Sequence, residues 1–231
     1  MINFIHNYIS TPLLHILFFI YNNFSFNDLG IAIITLTLLV RIILLPFFYK
    51  SAKNQTVIQK LQPQIREIQK IYKDDRAKQG MAMMDLYKKY RVNPFSSLFL
   101  ILIQIPIFIA LFDLFSKQIN NFYFNSTYFL GLFDLTQKNI IVVLIAALFQ
   151  YLQMKAMMQL QTKNQPKNPE NNLEQFDKIN KIMLFVGPFL TVLIFMNLPS
   201  AISLYWLTFS IFSFVQQIFI NKKISQINFS V

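Results

Sequence analysis

Apolar residues in this chain fall into long, nearly unbroken runs rather than the alternating or three-and-four spacing of soluble elements. Five stretches, 28–49, 95–115, 140–157, 182–198 and 201–220, are long enough to cross a bilayer, which takes roughly 20 apolar residues as helix. The first is interrupted only by Thr35, Thr37 and Arg41. The last two are separated by Pro199-Ser200 alone, which predicts a helical hairpin across the membrane. The opening segment, 4–21, is apolar at Ile9, Leu13, Leu14, Ile16, Leu17 and Ile20 but broken by His6, Asn7, Ser10, Thr11, Pro12 and His15. It lacks the basic start and small-residue cleavage site of a signal peptide. It reads as an amphipathic helix lying in the interface, with a sixth span as the alternative.

Two polar stretches punctuate the runs. In the longer, 50–94, Ile58, Leu61, Ile65, Ile68 and Tyr72 recur at steps of three and four, the seam of a helix packed on a partner. Asp74-Asp75 and Gly80 mark a turn, and Met83 or Met84, Leu86, Tyr87 and Tyr90 line a second helix. Pro63 kinks the first arm or fixes its start. The shorter stretch, 161–177, holds Pro166 and Pro169 among Asn, Gln and Lys and reads as a loop. The expected fold is therefore all-α and integral to the membrane: an N-terminal interfacial segment (1–27), a five-span core (28–221) carrying a helical hairpin (50–94), and a short tail (222–231).

Charge gives this arrangement an orientation. Only 13% of residues are charged, about half the usual soluble fraction, yet the net charge is +11. Eighteen basic residues lie in the hairpin, in the short loop with its edges and in the tail; only Lys117 and Lys138 lie on the other side. Under the positive-inside rule the hairpin, the short loop and the C-terminus are cytoplasmic. There is no cysteine, which excludes disulfides and thiolate chemistry. Four glycines and no Gly-Lys-Ser/Thr leave no phosphate-binding loop, and His6 and His15 have no HExxH context. No cofactor, metal site, enzymatic activity or specific nucleic-acid binding is expected.

Arg41 is the residue that needs explaining. It lies nine residues before Lys50, roughly 13 Å at 1.5 Å per residue. A central arginine costs about 2.5–3.5 kcal/mol on insertion scales, so it requires water or polar partners in a bundle interior. Thr37 shares its helical face. Gln104, Gln150, Gln153, Ser203, Thr208, Ser210 and Gln216 are further candidates for a polar lining. No acid is an obvious partner, which favours a hydrated cavity over a salt bridge; structural anchoring of Arg41 to helix carbonyls is the competing interpretation.

Several segments, in order, resemble the YidC-type membrane insertases and their mitochondrial Oxa and chloroplast Alb relatives. They are Leu39-Val-Arg-Ile-Ile-Leu-Leu-Pro46, Leu61-Gln-Pro63, Tyr72-Lys-Asp-Asp75, Met83-Met84 with Leu86-Tyr87-Lys88, and Val92-Asn-Pro94. Leu102-Ile-Gln-Ile-Pro106, Phe133-Asp-Leu135, Leu204-Tyr-Trp206 and Val215-Gln-Gln217 follow. The chain departs from the family pattern after Asn93-Pro94 and at Pro199-Ser-Ala-Ile-Ser, and it looks like a short form without a large periplasmic domain.

The resemblance implies a five-span core around a hydrophilic groove, with Arg41, Thr37 and Gln104 at its polar positions and Ser203 and Thr208 as further lining. It implies a cytoplasmic hairpin, in which Asp74, Asp75, Arg76, Lys88 and Lys89 are candidate contacts. The implied function is insertion of nascent membrane proteins into a bacterial plasma membrane, multi-pass with the C-terminus in the cytoplasm. Implied partners are the nascent chain and anionic lipid, with the Sec translocon, the ribosome and the signal-recognition receptor as candidates. The alternative is a small-solute transporter or channel in which Arg41 binds an anion. The basic hairpin has its own alternative, simple attraction to anionic lipid.

Overall fold

The computed structural model describes residues 10–115, 124–163 and 173–225. Positions 4–9 of the expected interfacial helix, Lys117, positions 164–172 of the expected loop and positions 226–231 of the tail lie outside them. Eight helices occur among the described residues: α1 (Thr11–Asn23), α2 (Leu29–Lys60), α3 (Gln62–Ile71), α4 (Arg76–Lys89), α5 (Ser96–Asp113), α6 (Ile140–Lys163), α7 (Leu173–Phe195) and α8 (Ser200–Ser225). The all-helical expectation misses one detail. Strands β1 (Tyr128–Phe129) and β2 (Phe133–Asp134) form a short antiparallel ladder with Phe129 opposite Phe133.

Charged residues do not stop a helix, so helices outrun the apolar runs. α2 continues eleven residues past the expected span end at 49. Pro46 lies inside it, where the missing N–H removes one intrahelical bond without ending the element. The expected loop at 161–177 is likewise helical at both edges, up to Lys163 and from Leu173. The tail is helical as far as Ser225. Among the described residues, three helical segments are long and apolar enough to cross a membrane: Leu29–Ile58, Ile140–Met158 and Ser200–Lys222. Leu102–Asp113 and Leu184–Phe195 are shorter apolar helices. Large side chains such as Phe99, Leu102, Leu148, Phe185, Phe189 and Phe219 are exposed on their outer faces. Apolar surface on this scale is what lipid, not water, solvates.

The main core sits at one end of the bundle. It joins Leu17, Ile20 and Tyr21 of α1, Leu29, Ala32, Ile33 and Leu36 at the start of α2, and Leu111, Leu114 and Phe115 at the end of α5. Val142 and Val143 of α6, Phe195 of α7, and Ala201, Ile202, Leu204 and Tyr205 of α8 complete it. The starts of α2, α6 and α8 at this end have open N–H groups taken up by side chains and loop carbonyls, as a buried terminus requires. Asp28 Oδ1 accepts from Ile31 N at 2.9 Å and Asn139 Oδ1 from Ile141 N at 3.1 Å. Ser200 N and Ala201 N donate to the carbonyls of Gln137 and Leu135 at 2.8 and 3.0 Å. The β ladder is thus a plug that caps α8. Asp28 Oδ2 also accepts from Leu130 N, tying the ladder's turn to α2.

At the other end the hairpin seam forms a second, smaller core of Val57, Leu61, Ile65 and Leu86, with Ile58, Ile68, Met83, Tyr87, Tyr90 and Val92 packed on it. The three-and-four spacing therefore located the seam, and it selects Met83 over the exposed Met84. Pro63 marks the start of α3, not a kink inside a longer arm. Arg91, at φ 52°, closes α4 in the left-handed conformation, with Val92 N bonded to Tyr87 O at 3.0 Å and Arg91 N to Lys88 O. That is a Schellman stop, completed by the Val92–Tyr87 apolar contact.

Gly30 is where α2 meets the plug. A methyl placed there would lie 2.6 Å from Phe129 Cγ and 2.8 Å from its Cβ, and nearer still to Cδ2. Gly30→Ala is expected to destabilise the full chain by about 1–3 kcal/mol through overpacking, read as a lower unfolding temperature in detergent. Adding Phe129→Ala is expected to recover part of that loss, because the two changes share one contact.

Candidate functional site

α2 carries Arg41 about 18 Å along its axis from Leu29, and the side chain is 3% exposed. Its Nη2 donates to Ser213 Oγ and to Gln216 Oε1, the latter at 3.2 Å. The guanidinium carbon lies 4.3 Å from the ring centroids of Phe48 and Phe209 and 5.2 Å from that of Phe212. Desolvated cation–π contacts are worth about 2 kcal/mol or more, so three rings and two hydrogen bonds offset much of the burial cost. Nε and Nη1 have no hydrogen-bond partner among the described residues. A guanidinium has five N–H groups, and three of Arg41's are thereby left to engage a polar visitor.

Arg41 borders a small recess of about 10 Å³, room for about one water, between α2, α5 and α8, lined also by Thr37, Val40, Gln104, Ile107, Tyr205 and Phe209 among others. The recess is narrower and more aromatic than the hydrated cavity expected from the sequence. Thr37 donates to Ile33 O at 2.7 Å, which leaves its hydroxyl oxygen able to accept. Gln104 Nε2 donates to Tyr205 Oη at 2.6 Å, a polar tie from α5 to α8 across the recess. Arg41, Thr37 and Gln104 all line this recess.

Ser203 and Thr208 do not line this recess. At 100° per residue, Ser203 lies roughly 160° around α8 from Tyr205. Its buried hydroxyl has no partner among the described residues. Thr208 flanks the recess face but donates back to Leu204 O at 2.8 Å. Gln150 is also elsewhere: its Oε1 accepts from Thr191 of α7, beside Gly187, where an added methyl would stand 3.2 Å from Met154 Sδ.

The charged candidates of the hairpin are spread along its exposed surface, and one has a structural task. Asp75 is the N-cap of α4, accepting from Lys78 N at 3.0 Å and pairing with Lys78 Nζ at 3.1 Å. The Lys78 backbone N–H first, then its ammonium, hold this carboxyl below its ordinary pKa of 3.8. Lys88 lies 3.9 Å from Asp85, and Lys89 Nζ stands 5.6 Å from the Tyr90 ring centroid. Asp74 and Arg76 are exposed at the turn.

Comparison with known proteins places this bundle. The sequence pattern of the 60Kd inner membrane protein family matches residues 19–227, from within α1 to beyond α8. The chain belongs to that family. It is 35% identical over 202 residues to a protein of Oceanobacillus iheyensis named membrane protein insertase YidC, covering 85% of this chain and 76% of the relative. A protein of the same name from Geobacter sulfurreducens is 33% identical over 219 residues, 94% of this chain and 38% of that protein. One from Syntrophus aciditrophicus is 35% identical over 218 residues, with 94% and 37% covered. The chain thus spans less than two-fifths of several of the relatives it matches.

In this member of the 60Kd inner membrane protein family, sequence reasoning missed the contacts that hold Arg41 most directly. Ser213 and the rings of Phe48, Phe209 and Phe212 were not singled out, and Tyr205 appeared only inside a motif. The signal was present as spacing: Tyr205, Phe209, Phe212, Ser213 and Gln216 share one face of α8, and Phe48 follows Arg41 by seven residues. In a chain with 26 phenylalanines, that face had no polar contrast to mark it.

Ser213→Ala removes one acceptor of a buried cation and is expected to cost about 1–3 kcal/mol, measured by thermal unfolding of the full chain. Combined with Arg41→Met, the loss should be smaller than the sum of the two. At the hairpin, Asp75→Ala should lower amide-exchange protection of Lys78 at neutral pH. Because the folded pKa is depressed, the capping contribution is present above about pH 4 and is lost as pH falls through the folded value. Asp75→Asn should retain protection, since Asn also caps, and abolish its acid dependence.

Proposed function

We propose that this chain inserts membrane proteins, taking a polar segment of a nascent client into the recess at Arg41 while its apolar segment passes into lipid. The observation that carries the proposal is the guanidinium itself: buried in mid-helix, held on one side by Ser213 and Gln216, and retaining unbonded N–H groups beside a recess. Family membership and the relatives' shared name support insertion over solute transport.

On this reading α2, α5, α6, α7 and α8 all span the membrane, with α5 and α7 as the two shorter crossings. The basic α3–α4 pair faces the cytoplasm, as does the end of α8, which follows from the charge asymmetry. Segments 1–27, 28–221 and 222–231 then serve as interfacial segment, insertase core and tail. Arg41, Thr37 and Gln104 offset the desolvation of the client's polar groups, a cost of several kcal/mol per group in hydrocarbon. Burial of the client's apolar surface in lipid, about 25 cal/mol per Å², supplies the driving force without a nucleotide. Exposed apolar faces on α5 and α7 offer that exit. Nascent membrane proteins and anionic lipid are the partners this requires. Asp74, Arg76, Lys88 and Lys89, exposed on the hairpin, suit docking to the ribosome, the Sec translocon or the signal-recognition receptor.

Reconstitution of the full chain in liposomes tests the role of Arg41. Arg41→Ala is expected to slow insertion of a substrate with an acidic extracytoplasmic tail about tenfold or more, the factor for losing charge-assisted bonds worth 1.5–3 kcal/mol. Arg41→Lys should recover part of the rate. Unchanged insertion by the alanine variant removes Arg41 from the mechanism, and anion flux without any client would favour the transporter reading.

A further inference from the structure

A second pocket, of about 190 Å³, lies where α2 passes the start of α5. It is separate from the Arg41 recess and shares none of its lining. α2 contributes Lys50, Ser51 and Asn54, and the approach to α5 contributes Asn93 and Ser96. Asn93 Oδ1 already accepts from Phe95 N at 2.8 Å, which leaves its NH₂ to donate. Ser96 Oγ is committed to Asn93 O at 2.8 Å. Ser51, 4% exposed, and the half-buried Asn54 add a hydroxyl and an amide. No carboxylate lines the pocket among the described residues, so its polar wall is one cation among hydrogen-bond donors. Such a wall recognises an anion.

The remaining wall is apolar. Phe47 and Phe99 face each other with ring centroids 6.5 Å apart and are 48% and 52% exposed. They continue into Ile43 and Leu102, also exposed, along α2 and α5. Lys50 ends the apolar run of α2, at the depth where a spanning helix meets lipid headgroups.

We propose that this pocket binds the phosphate headgroup of an anionic glycerophospholipid, with Lys50, Ser51, Asn54 and Asn93 on the phosphate and Phe47 and Phe99 against the acyl chains. A free phosphate satisfies the donors but leaves both rings without a partner. The proposal requires only that α2 crosses a membrane; it does not depend on the insertion reading.

Native mass spectrometry of the full chain, titrated with phosphatidylglycerol or with phosphatidylcholine of identical acyl chains, tests it. Phosphatidylglycerol should bind in preference. Lys50→Gln should weaken it about fivefold, the factor for the loss of ~1 kcal/mol per lysine at a membrane surface. Lys53→Gln, an exposed neighbour outside the lining, should change it by less than about twofold. Asn54→Leu, with circular dichroism to verify folding, should lower phosphatidylglycerol binding and spare phosphatidylcholine. Equal losses for the two lysine variants would assign the effect to diffuse surface charge and overturn the site. So would an absence of headgroup preference. Inorganic phosphate provides the remaining arm: if it alone binds with the same Lys50 dependence and displaces the lipid at equal concentration, the lipid assignment fails.

Discussion

A guanidinium enclosed half-way along an apolar helix is the constraint around which this bundle is arranged. Desolvating Arg41 costs several kcal/mol, and the chain answers with one face of α8: two acceptors for Nη2 and two of the three rings around the ion. That face is why α2 and α8 must be neighbours. It also dictates the composition of α8, in which Ser, Thr and Gln recur along a helix that is otherwise apolar. Without Ser213, Gln216 and the rings, an apolar α8 would bury more hydrocarbon but leave the cation uncompensated.

Polar contacts at mid-depth demand rigidity elsewhere, and the molecule concentrates it at one end. There α1, the plug and the starts of α2, α6 and α8 share a single apolar core, with Asp28, Asn139 and the carbonyls of Leu135 and Gln137 accepting from helix-start N–H groups. From Arg41 onward the character changes: the buried residues include Ser51, Thr56 and Ser213 beside aliphatic ones such as Ala156 and Ile220. One end is sealed by packing and the other is held by scattered hydrogen bonds, such as Asn221 Nδ2 to Ala156 O at 2.8 Å.

Much of this was legible in the pattern of residues. The apolar runs located the long helices, the three-and-four spacing located the hairpin seam, and the cost of a lone arginine pointed to a polar interior. Other features were hidden for physical reasons. Helix ends were missed because Lys50 or Lys163 no more halts a helix than a leucine does, whereas the membrane boundary they mark is a property of lipid. The β plug is two residues per strand, too short for any periodicity. Its role depends on Gly30 admitting the Phe129 ring, a contact between positions 99 apart. Ser203 and Thr208 looked equivalent to Thr37 by depth, but only their angle around α8 decides what they face. That angle is meaningless until the neighbours of α8 are known.

The same asymmetry bears on α5 and α7, the two short apolar helices. Each is anchored in the sealed core at its C-terminal end, through Leu111 with the adjoining Leu114 and Phe115 in one case and Phe195 in the other. Each has a proline inside it, Pro106 and Pro188, which removes a backbone bond to the preceding turn and is a common origin of helix kinks. On the far side of those prolines lie exposed Leu98, Phe99 and Leu102 in α5 and Phe185 in α7. α5 is tied to α8 there by Gln104 and Tyr205, whereas α7 is tied to α6 by Thr191 and Gln150 on the core side of its proline. A helix fixed at one end, broken in its ladder at the middle and tethered by single polar contacts bends with less loss of packing than one buried throughout. Of the two, only α5 lines the Arg41 recess, through Gln104, Ile107 and Leu111, so α5 is the one whose bending would change its width while leaving the sealed end undisturbed.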